Sequence, residues 1–367
     1  MKVIISGGGT GGHIYPAIAI ADALKRRDPL IDILFVGARG RMEMEKVPAA
    51  GYPIEGLWIS GLQRKLTLSN LMFPVKVAHS LIRCRSIVRS FRPDAVVGVG
   101  GYASGPLVNV ASRMGIPSVL QEQNSYPGIT NKLLAKKAAK ICVAYPGMEK
   151  FFPADKIVFT GNPMRSLLGN TMTREEAAKM FGLDPAKKTI LAVGGSLGAL
   201  TINEIITKSY DLLKDRHDIQ VLWQIGKLYA VQYLETPAAK LGNVRPSVYI
   251  DRMDLAYAIS DVVIARAGAM TISELCLTGK AAILVPSPYV AEDHQTHNAM
   301  SLVRLGAALL IPDGEAPQKA FPEAIRLLEQ PEEIRKLETA ISKLGRPYAA
   351  NEVADIIIRA AKTYTAK

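Results

Sequence analysis

The run Gly7-Gly8-Gly9-Thr10-Gly11-Gly12-His13 follows a short apolar stretch, Val3 to Ser6, and precedes a segment of helical period from Pro16 to Arg27. A strand that enters a glycine turn and leaves as a helix is the opening unit of a parallel α/β sheet, and few other architectures accommodate it. Because the turn has no side chains, backbone N–H groups and a helix terminus can approach a phosphate or a sugar closely.

The same unit returns later in the chain. Apolar runs expected as strands are Val3 to Ser6, Ile31 to Gly37, Ala95 to Val99, Ser118 to Gln121, Ile141 to Ala144 and Ile157 to Thr160. A second series comprises Thr189 to Val193, Val221 to Ile225, Ser247 to Ile250, Val262 to Ala265, Ala281 to Val285 and Ala307 to Ile311. Continuous apolar runs of this length suit parallel strands covered on both faces. The second series also opens on a strand, a glycine turn (Gly194 to Gly198) and a helix. The fold class is therefore α/β, with two doubly wound, Rossmann-like domains facing an interdomain cleft where ligands bind beyond the strands' carboxyl ends. The domains are expected at residues 1–163 and 164–345, with a carboxyl-terminal helix, 346–367, joining the first. Gly161-Asn162-Pro163 breaks both periods and is the expected hinge, ahead of a polar segment from Asn170 to Glu176.

At 367 residues the chain is long enough for two cores. Its start lacks the regions of a signal peptide, and its longest apolar stretches fall far short of the roughly 20 residues that cross a bilayer. Cys84, Cys142 and Cys276 are widely spaced, as expected of buried thiols in a reducing compartment. A cytoplasmic protein is expected. The net charge of +12 is unevenly divided: residues 1–165 carry 22 basic against 10 acidic side chains, and the remainder balances. Between Gly56 and Pro93 stand Arg64, Lys65, Lys76, Arg83, Arg85, Arg89 and Arg92 without an acid, interleaved with Leu66, Leu68, Leu71, Met72, Phe73 and Val75. Such a mixture suits an anionic membrane surface, or else an ordinary solvated helix. Nucleic acid is disfavoured because aromatic stacking platforms are scarce.

Gly7, Gly9 and Gly12 satisfy the G-x-G-x-x-G spacing, but a dinucleotide also needs an acid at the end of the second strand, where this chain has Gly37-Ala38-Arg39. A second cluster, Gly98 to Pro106, makes a further candidate ligand loop with Gly100, Gly101, Tyr102 and Ser104. In Arg266 to Leu275 a helix starting near Ala269 offers its unpaired N–H groups to a diphosphate, and Glu274, a turn further on, can reach a ribose diol. His294 and His297 lack a third metal ligand, so a sugar-hydroxyl contact through Gln295 is the better expectation. His13 is the candidate general base, since a helix N-terminus disfavours the imidazolium, and Glu122 in Gln121-Glu122-Gln123-Asn124 is the second. Each could instead be structural.

Taken together, Gly8 to His13, Gly98 to Pro106, Gln121 to Asn124, Gly161 to Arg165, Gly194 to Ser196, Tyr249 to Asp251, Arg266 to Glu274 and Asp293 to Gln295 resemble, in order, the motifs of the MurG family. That resemblance implies a GT-B fold and an inverting transfer of N-acetylglucosamine (GlcNAc) from UDP-GlcNAc to the 4-hydroxyl of lipid I, the undecaprenyl-linked muramoyl-pentapeptide, giving lipid II. It also implies a peripheral protein on the cytoplasmic face of the membrane, working without cofactor or metal. The first domain would take the acceptor and the second the donor. Thr10, Gly11, Gly12 and Asn124 would face the transferred sugar, while Arg165 and Ser196 meet the diphosphate. Ile250 would receive uracil through its backbone. Ala269, Met270, Thr271, Ile272 and Ser273 would form the phosphate-binding helix start, with Glu274 on the ribose and Gln295 on the sugar hydroxyls. One departure is Leu197, where the family usually has Gln. Alternatives are another UDP-sugar transferase acting on a membrane lipid, a nucleotide-sugar epimerase, and a UDP-sugar-binding protein without turnover.

Overall fold

The structure is a computed structural model, describing residues 1–61, 72–164 and 173–365. The expected contributions of Arg64, Lys65, Leu66, Leu68, Leu71 and Arg165 lie outside the described residues. The chain forms two compact units, Met1–Ser166 with Arg346–Lys367, and Leu167–Gly345.

The first unit is built on a seven-stranded sheet in the order β3-β2-β1-β4-β5-β6-β7, every pairing parallel. Its strands are β1 (Lys2–Ser6), β2 (Asp32–Ala38), β3 (Ile54–Leu57), β4 (Ala95–Gly98), β5 (Ser118–Glu122), β6 (Lys140–Val143) and β7 (Ile157–Phe159). Both faces are covered, and successive residues of one strand serve opposite cores. Val3 and Ile5 pack with Ile14, Ile18 and Leu24 of the helix Gly11–Arg27 and with Val353 and Ile357 of the terminal helix Ala349–Thr365. Ile4 packs on the other side with Cys84, Val88, Leu107 and Val108. This two-sided burial is what makes the strand sequences continuously apolar.

The second unit has a six-stranded parallel sheet ordered β10-β9-β8-β11-β12-β13. Its strands are β8 (Lys188–Val193), β9 (Ile219–Gln224), β10 (Val244–Ser247), β11 (Val262–Ala265), β12 (Ala281–Leu284) and β13 (Leu309–Leu310). Trp223, Phe321 and Ile264 are among its fully buried side chains.

Several elements differ from the sequence reading. β3, Ile-Glu-Gly-Leu, is a short edge strand whose polar and glycine residues mask its period. β10 falls three residues before its expected place and carries Pro246, which an edge strand tolerates because one side of its ladder is unpaired. Ala307 to Ile311 contracts to two strand residues at the opposite edge. The polar segment ending at Glu176 opens a helix, Arg174–Phe181: Glu176 N donates to Thr173 Oγ1 at 3.1 Å and Thr173 N returns a bond to Glu176 Oε2 at 2.9 Å. Gly161 to Pro163 lie in the first unit, within the expected bounds 1–163. Buried Asn162 accepts from Gln121 Nε2 at 3.0 Å and donates to the Gln123 carbonyl at 3.1 Å, fixing Gly161 to Pro163 beside β5. All three cysteines are free and buried, and burial pushes their thiols up to about 12, beyond ready ionisation.

In each sheet the strand order reverses beside the first strand of the unit, which sets two loops next to each other at the carboxyl ends. In the first unit these are the loops after β1 and β4. In the second they follow β8 and β11.

Candidate active site

The turn after β1 leads into the helix Gly11–Arg27 with Thr10 as its N-cap residue, so His13 stands in the first helical turn. His13 Nδ1 lies 3.1 Å from the Gly8 carbonyl oxygen and 3.3 Å from Thr10 Oγ1. A carbonyl can only accept, so this geometry assigns the ring hydrogen to Nδ1 and the lone pair of the neutral imidazole to Nε2. The loop after β4 closes against that turn. Gly100, at φ +95°, leaves room for the imidazole: a Cβ there would come within 2.8 Å of His13 Nε2, and one at Gly101 would overlap the Gly8 carbonyl. Ser104 is buried and its hydroxyl donates to the Gly101 carbonyl at 2.9 Å, while Tyr102 is half exposed. Thr10, Gly11, Gly12, His13, Gly100, Gly101, Tyr102 and Ser104 are thereby brought together at one end of the first sheet.

Glu122 ends β5 and is buried. One carboxylate oxygen accepts from Asn124 N at 3.0 Å and Asn124 Nδ2 at 3.3 Å; the other accepts from Asn131 Nδ2 at 2.8 Å and Gly128 N at 3.2 Å. Burial raises its pKa, and the four donors work against that rise. Three bonds to one short loop and a fourth to Asn131 in the helix Ile129–Leu134 make Glu122 the organiser of residues 123–128, which include Asn124.

In the second unit Ser196 and Leu197 are exposed on the loop after β8. That loop abuts the residues beyond β9 so closely that a Cβ at Gly226, φ +89°, would overlap Gly198. Gln224, at the end of β9, fastens two loop segments at once. Its Nε2 donates to the Gly195 carbonyl at 3.0 Å and its Oε1 accepts from Ile250 N at 2.9 Å. The Ile250 amide is therefore engaged within the protein.

The helix Ala269–Thr278 begins after Gly268 with no acidic side chain in its first turn and no side-chain cap. At a helix start of this kind the first amides stand outside the i→i−4 ladder, the arrangement that receives an anion. The Ile272 amide donates to the Gly268 carbonyl at 2.9 Å, its side chain is buried, and Ser273 Oγ donates to the Ala269 carbonyl at 2.9 Å. Glu274 Oε2 accepts from the hydroxyl of buried Tyr257 at 2.8 Å. Burial raises Glu274 to about 7, with the Tyr257 bond opposing the rise. Gln295 Oε1 accepts from Ser287 N at 2.9 Å at the start of the helix His294–Val303, just after Glu292 and Asp293, both in the left-handed region at φ +55° and +50°. Among the described residues no group of three or more His, Cys, Asp or Glu side chains is gathered as a metal site would require.

An ionised Glu274 accepts both hydroxyls of a diol, whereas a protonated one must spend an oxygen as donor. Because its pKa lies near 7, affinity for a ligand held there by a diol is expected to hold above that pH and to weaken towards tenfold per unit below it. UDP binding measured across pH tests this, and Glu274→Gln should flatten the dependence.

Sequence reasoning missed Glu43, Gln224 and Tyr257. The acid sought at the end of β2 is absent there, yet Glu43, five residues on, folds back so that Oε1 accepts from Ala38 N at 3.0 Å. Its one sequence signal is an acid after the Gly40 turn; Gln224 and Tyr257 lie inside apolar runs and show none.

A glycine-turn histidine in one doubly wound unit, and a helix start followed by a carboxylate in the other, are the parts of a sugar-nucleotide glycosyltransferase of GT-B fold. Residues 3–143 match the Glycosyltransferase family 28 N-terminal domain, and 189–359 match the C-terminal domain of that family. A relative from Phocaeicola vulgatus, named "UDP-N-acetylglucosamine--N-acetylmuramyl-(pentapeptide) pyrophosphoryl-undecaprenol N-acetylglucosamine transferase", is 52% identical over 99% of this chain and 97% of its own. One of the same name from Flavobacterium psychrophilum is 52% identical over 98% and 97%. The crystal structure of MurG from Acinetobacter baumannii superposes with a TM-score of 0.77 at 28% identity, covering 98% of this chain and 99% of that one. The chain belongs to the MurG family. A UDP-GlcNAc 2-epimerase from Neisseria meningitidis, at 15% identity and a TM-score of 0.69, shares the fold alone.

Proposed function

We propose that the protein transfers GlcNAc from UDP-GlcNAc to the 4-hydroxyl of the muramoyl residue of pyrophosphoryl-undecaprenol-linked pentapeptide, forming lipid II with inversion at the anomeric carbon. The observation that carries this reading is the 52% identity, along 99% of the chain, to a transferase named for that reaction. The donor sits on the second unit. The helix start at Ala269 to Thr271, with Arg165 and Ser196, holds the diphosphate, Glu274 takes the ribose, Ile250 meets the uracil and Gln295 the sugar hydroxyls. The acceptor belongs to the first unit, at Gly100, Gly101, Tyr102 and Ser104, with Thr10, Gly11, Gly12 and Asn124 facing the sugar in transfer.

In the reaction the acceptor oxygen bonds to the anomeric carbon as the bond from that carbon to the UDP oxygen breaks. His13 Nε2 takes the hydroxyl proton, and the developing imidazolium keeps its Nδ1–H on the Gly8 carbonyl. Helix-terminal amides and Arg165 stabilise the charge gathering on UDP. Incubation with labelled UDP-GlcNAc and a lipid I analogue should move label to lipid only when acceptor is present; label appearing in an epimerised nucleotide sugar without acceptor would favour the epimerase chemistry instead.

The protein acts at the cytoplasmic face of the membrane as a peripheral protein. Among the described residues no helix is long and apolar enough to cross a bilayer. The helix Phe73–Phe91 exposes Val75, Ile82, Arg85 and Arg89 at helical spacing, a mixed apolar and basic face that suits anionic lipid. Arg83 is committed to Glu55 at 2.9 Å and Lys76 to Ser60 at 3.0 Å. With about 1 kcal/mol per basic residue near such a surface, Arg85→Glu with Arg89→Glu should weaken co-sedimentation with anionic vesicles roughly tenfold or more. Binding that ignores the double reversal, lipid charge and salt would remove this face from docking.

A further inference from the structure

We propose that Glu43 is a positioning residue for the transfer, a buried carboxylate that acts on the His13 imidazole through the Gly8–Gly9 peptide group. The inference rests on His13 being the base, and goes beyond that assignment by naming what holds and polarises it.

Glu43 has no solvent exposure. Its two oxygens accept from two backbone amides, Ala38 N and Gly9 N, each at 3.0 Å, the arrangement of a carboxylate. Gly9 N–H and Gly8 C=O are the two ends of one planar, resonance-coupled peptide. The far end of that peptide accepts from His13 Nδ1 at 3.1 Å. The order is thus carboxylate, N–H, C=O, imidazole N–H. Negative charge on Glu43 drives electron density towards the Gly8 oxygen, and hydrogen bonds in series polarise one another. The result strengthens the bond from Nδ1–H, holds the tautomer with its lone pair on Nε2, and stabilises the imidazolium once the proton has been taken. A carboxylate bonded directly to a histidine does the same; here one peptide group stands between them.

The local sequence is shaped around this contact. A Cβ at Gly8 would overlap the Glu43 carboxylate. Gly9, at φ +88°, takes a conformation that turns its N–H to Glu43 and that other residues rarely adopt. Other titratable or charged groups on the elements packed here are Tyr15 on His13's own helix with Asp22, Lys25, Arg26 and Arg27 further along it, Arg41, Glu45 and Lys46 flanking Glu43, Tyr102 on the loop after β4, and Arg39, whose Nε donates to the Gly56 carbonyl at 3.0 Å. The Gly9 amide is taken by Glu43 and the Gly8 carbonyl faces His13 Nδ1.

The test is a double-mutant cycle on the full chain, with UDP-GlcNAc and a lipid I analogue across pH. Glu43→Gln should lower kcat about tenfold, part of the roughly 10²–10⁴ that a general base contributes, and move the acid limb of the kcat profile down by about one unit, with donor KM little changed. In a His13→Ala background the same substitution should cost nothing further. An equal loss in both backgrounds, or a Glu43→Gln profile superposing on wild type, overturns the proposal while leaving His13 as base. An unchanged kcat in His13→Ala overturns the base assignment itself. Should Glu43→Gln fail to fold, the wild-type chain with 15N-labelled histidine decides: the proton is expected on Nδ1 of His13, and a proton on Nε2 overturns the proposal.

Discussion

Replacing His13 with Ala lowers kcat by about 10²–10⁴-fold while the donor KM stays within a few-fold, since a general base works in the transition state and adds little to ground-state binding. The site gives this expectation its physical content. The ring is tethered through Nδ1 to the Gly8 carbonyl, and the loop after β4 yields space to it only because Gly100 has no side chain. His13→Gln restores hydrogen-bonding groups without a basic nitrogen, so it should remain close to the Ala variant. Steady-state kinetics on both variants provide the check, and near-normal turnover in either would remove proton transfer from His13.

The second large effect falls on the donor. With the ribose on Glu274 as proposed, Glu274→Ala removes hydrogen bonds worth about 1.5–3 kcal/mol each, so donor affinity should fall about 100-fold. It also strips the buried Tyr257 hydroxyl of its acceptor, at a cost of about 1–3 kcal/mol in stability. Glu274→Gln separates the two consequences: its amide oxygen still accepts from Tyr257, so thermal stability stays near wild type while donor affinity drops roughly tenfold. Titration calorimetry with UDP and thermal melts of both variants read the two effects independently. Equal UDP affinity across wild type and variants would place the ribose elsewhere.

The sheets were legible because parallel strands covered on both faces must be apolar throughout, as β4 and β11 are, and because glycine turns mark the carboxyl ends of such strands. Edge strands escaped that logic. β3 carries Glu55 and Gly56, and β10 carries Arg245 and Pro246, so neither shows a buried period. The capping pair Thr173 and Glu176 was written in the sequence as a helix start, but its polar surroundings favoured a linker. At the candidate site, loop residues with evident chemistry such as His13 and Glu274 stood out. The residues that hold them did not: Glu43 acts across from a different helix, Gln224 ties Gly195 to Ile250, and Tyr257 orients a carboxylate seventeen positions away. Such contacts depend on how elements pack, and spacing along the chain carries no trace of them.

The central claim is a single displacement, in which one base removes the acceptor proton as UDP departs from the opposite side of the sugar. The anomeric configuration of the product tests it most directly. UDP-GlcNAc is the α-anomer, so NMR of the disaccharide-lipid formed from a lipid I analogue should show a β linkage to the 4-position; an α linkage would require a double displacement and contradict the account.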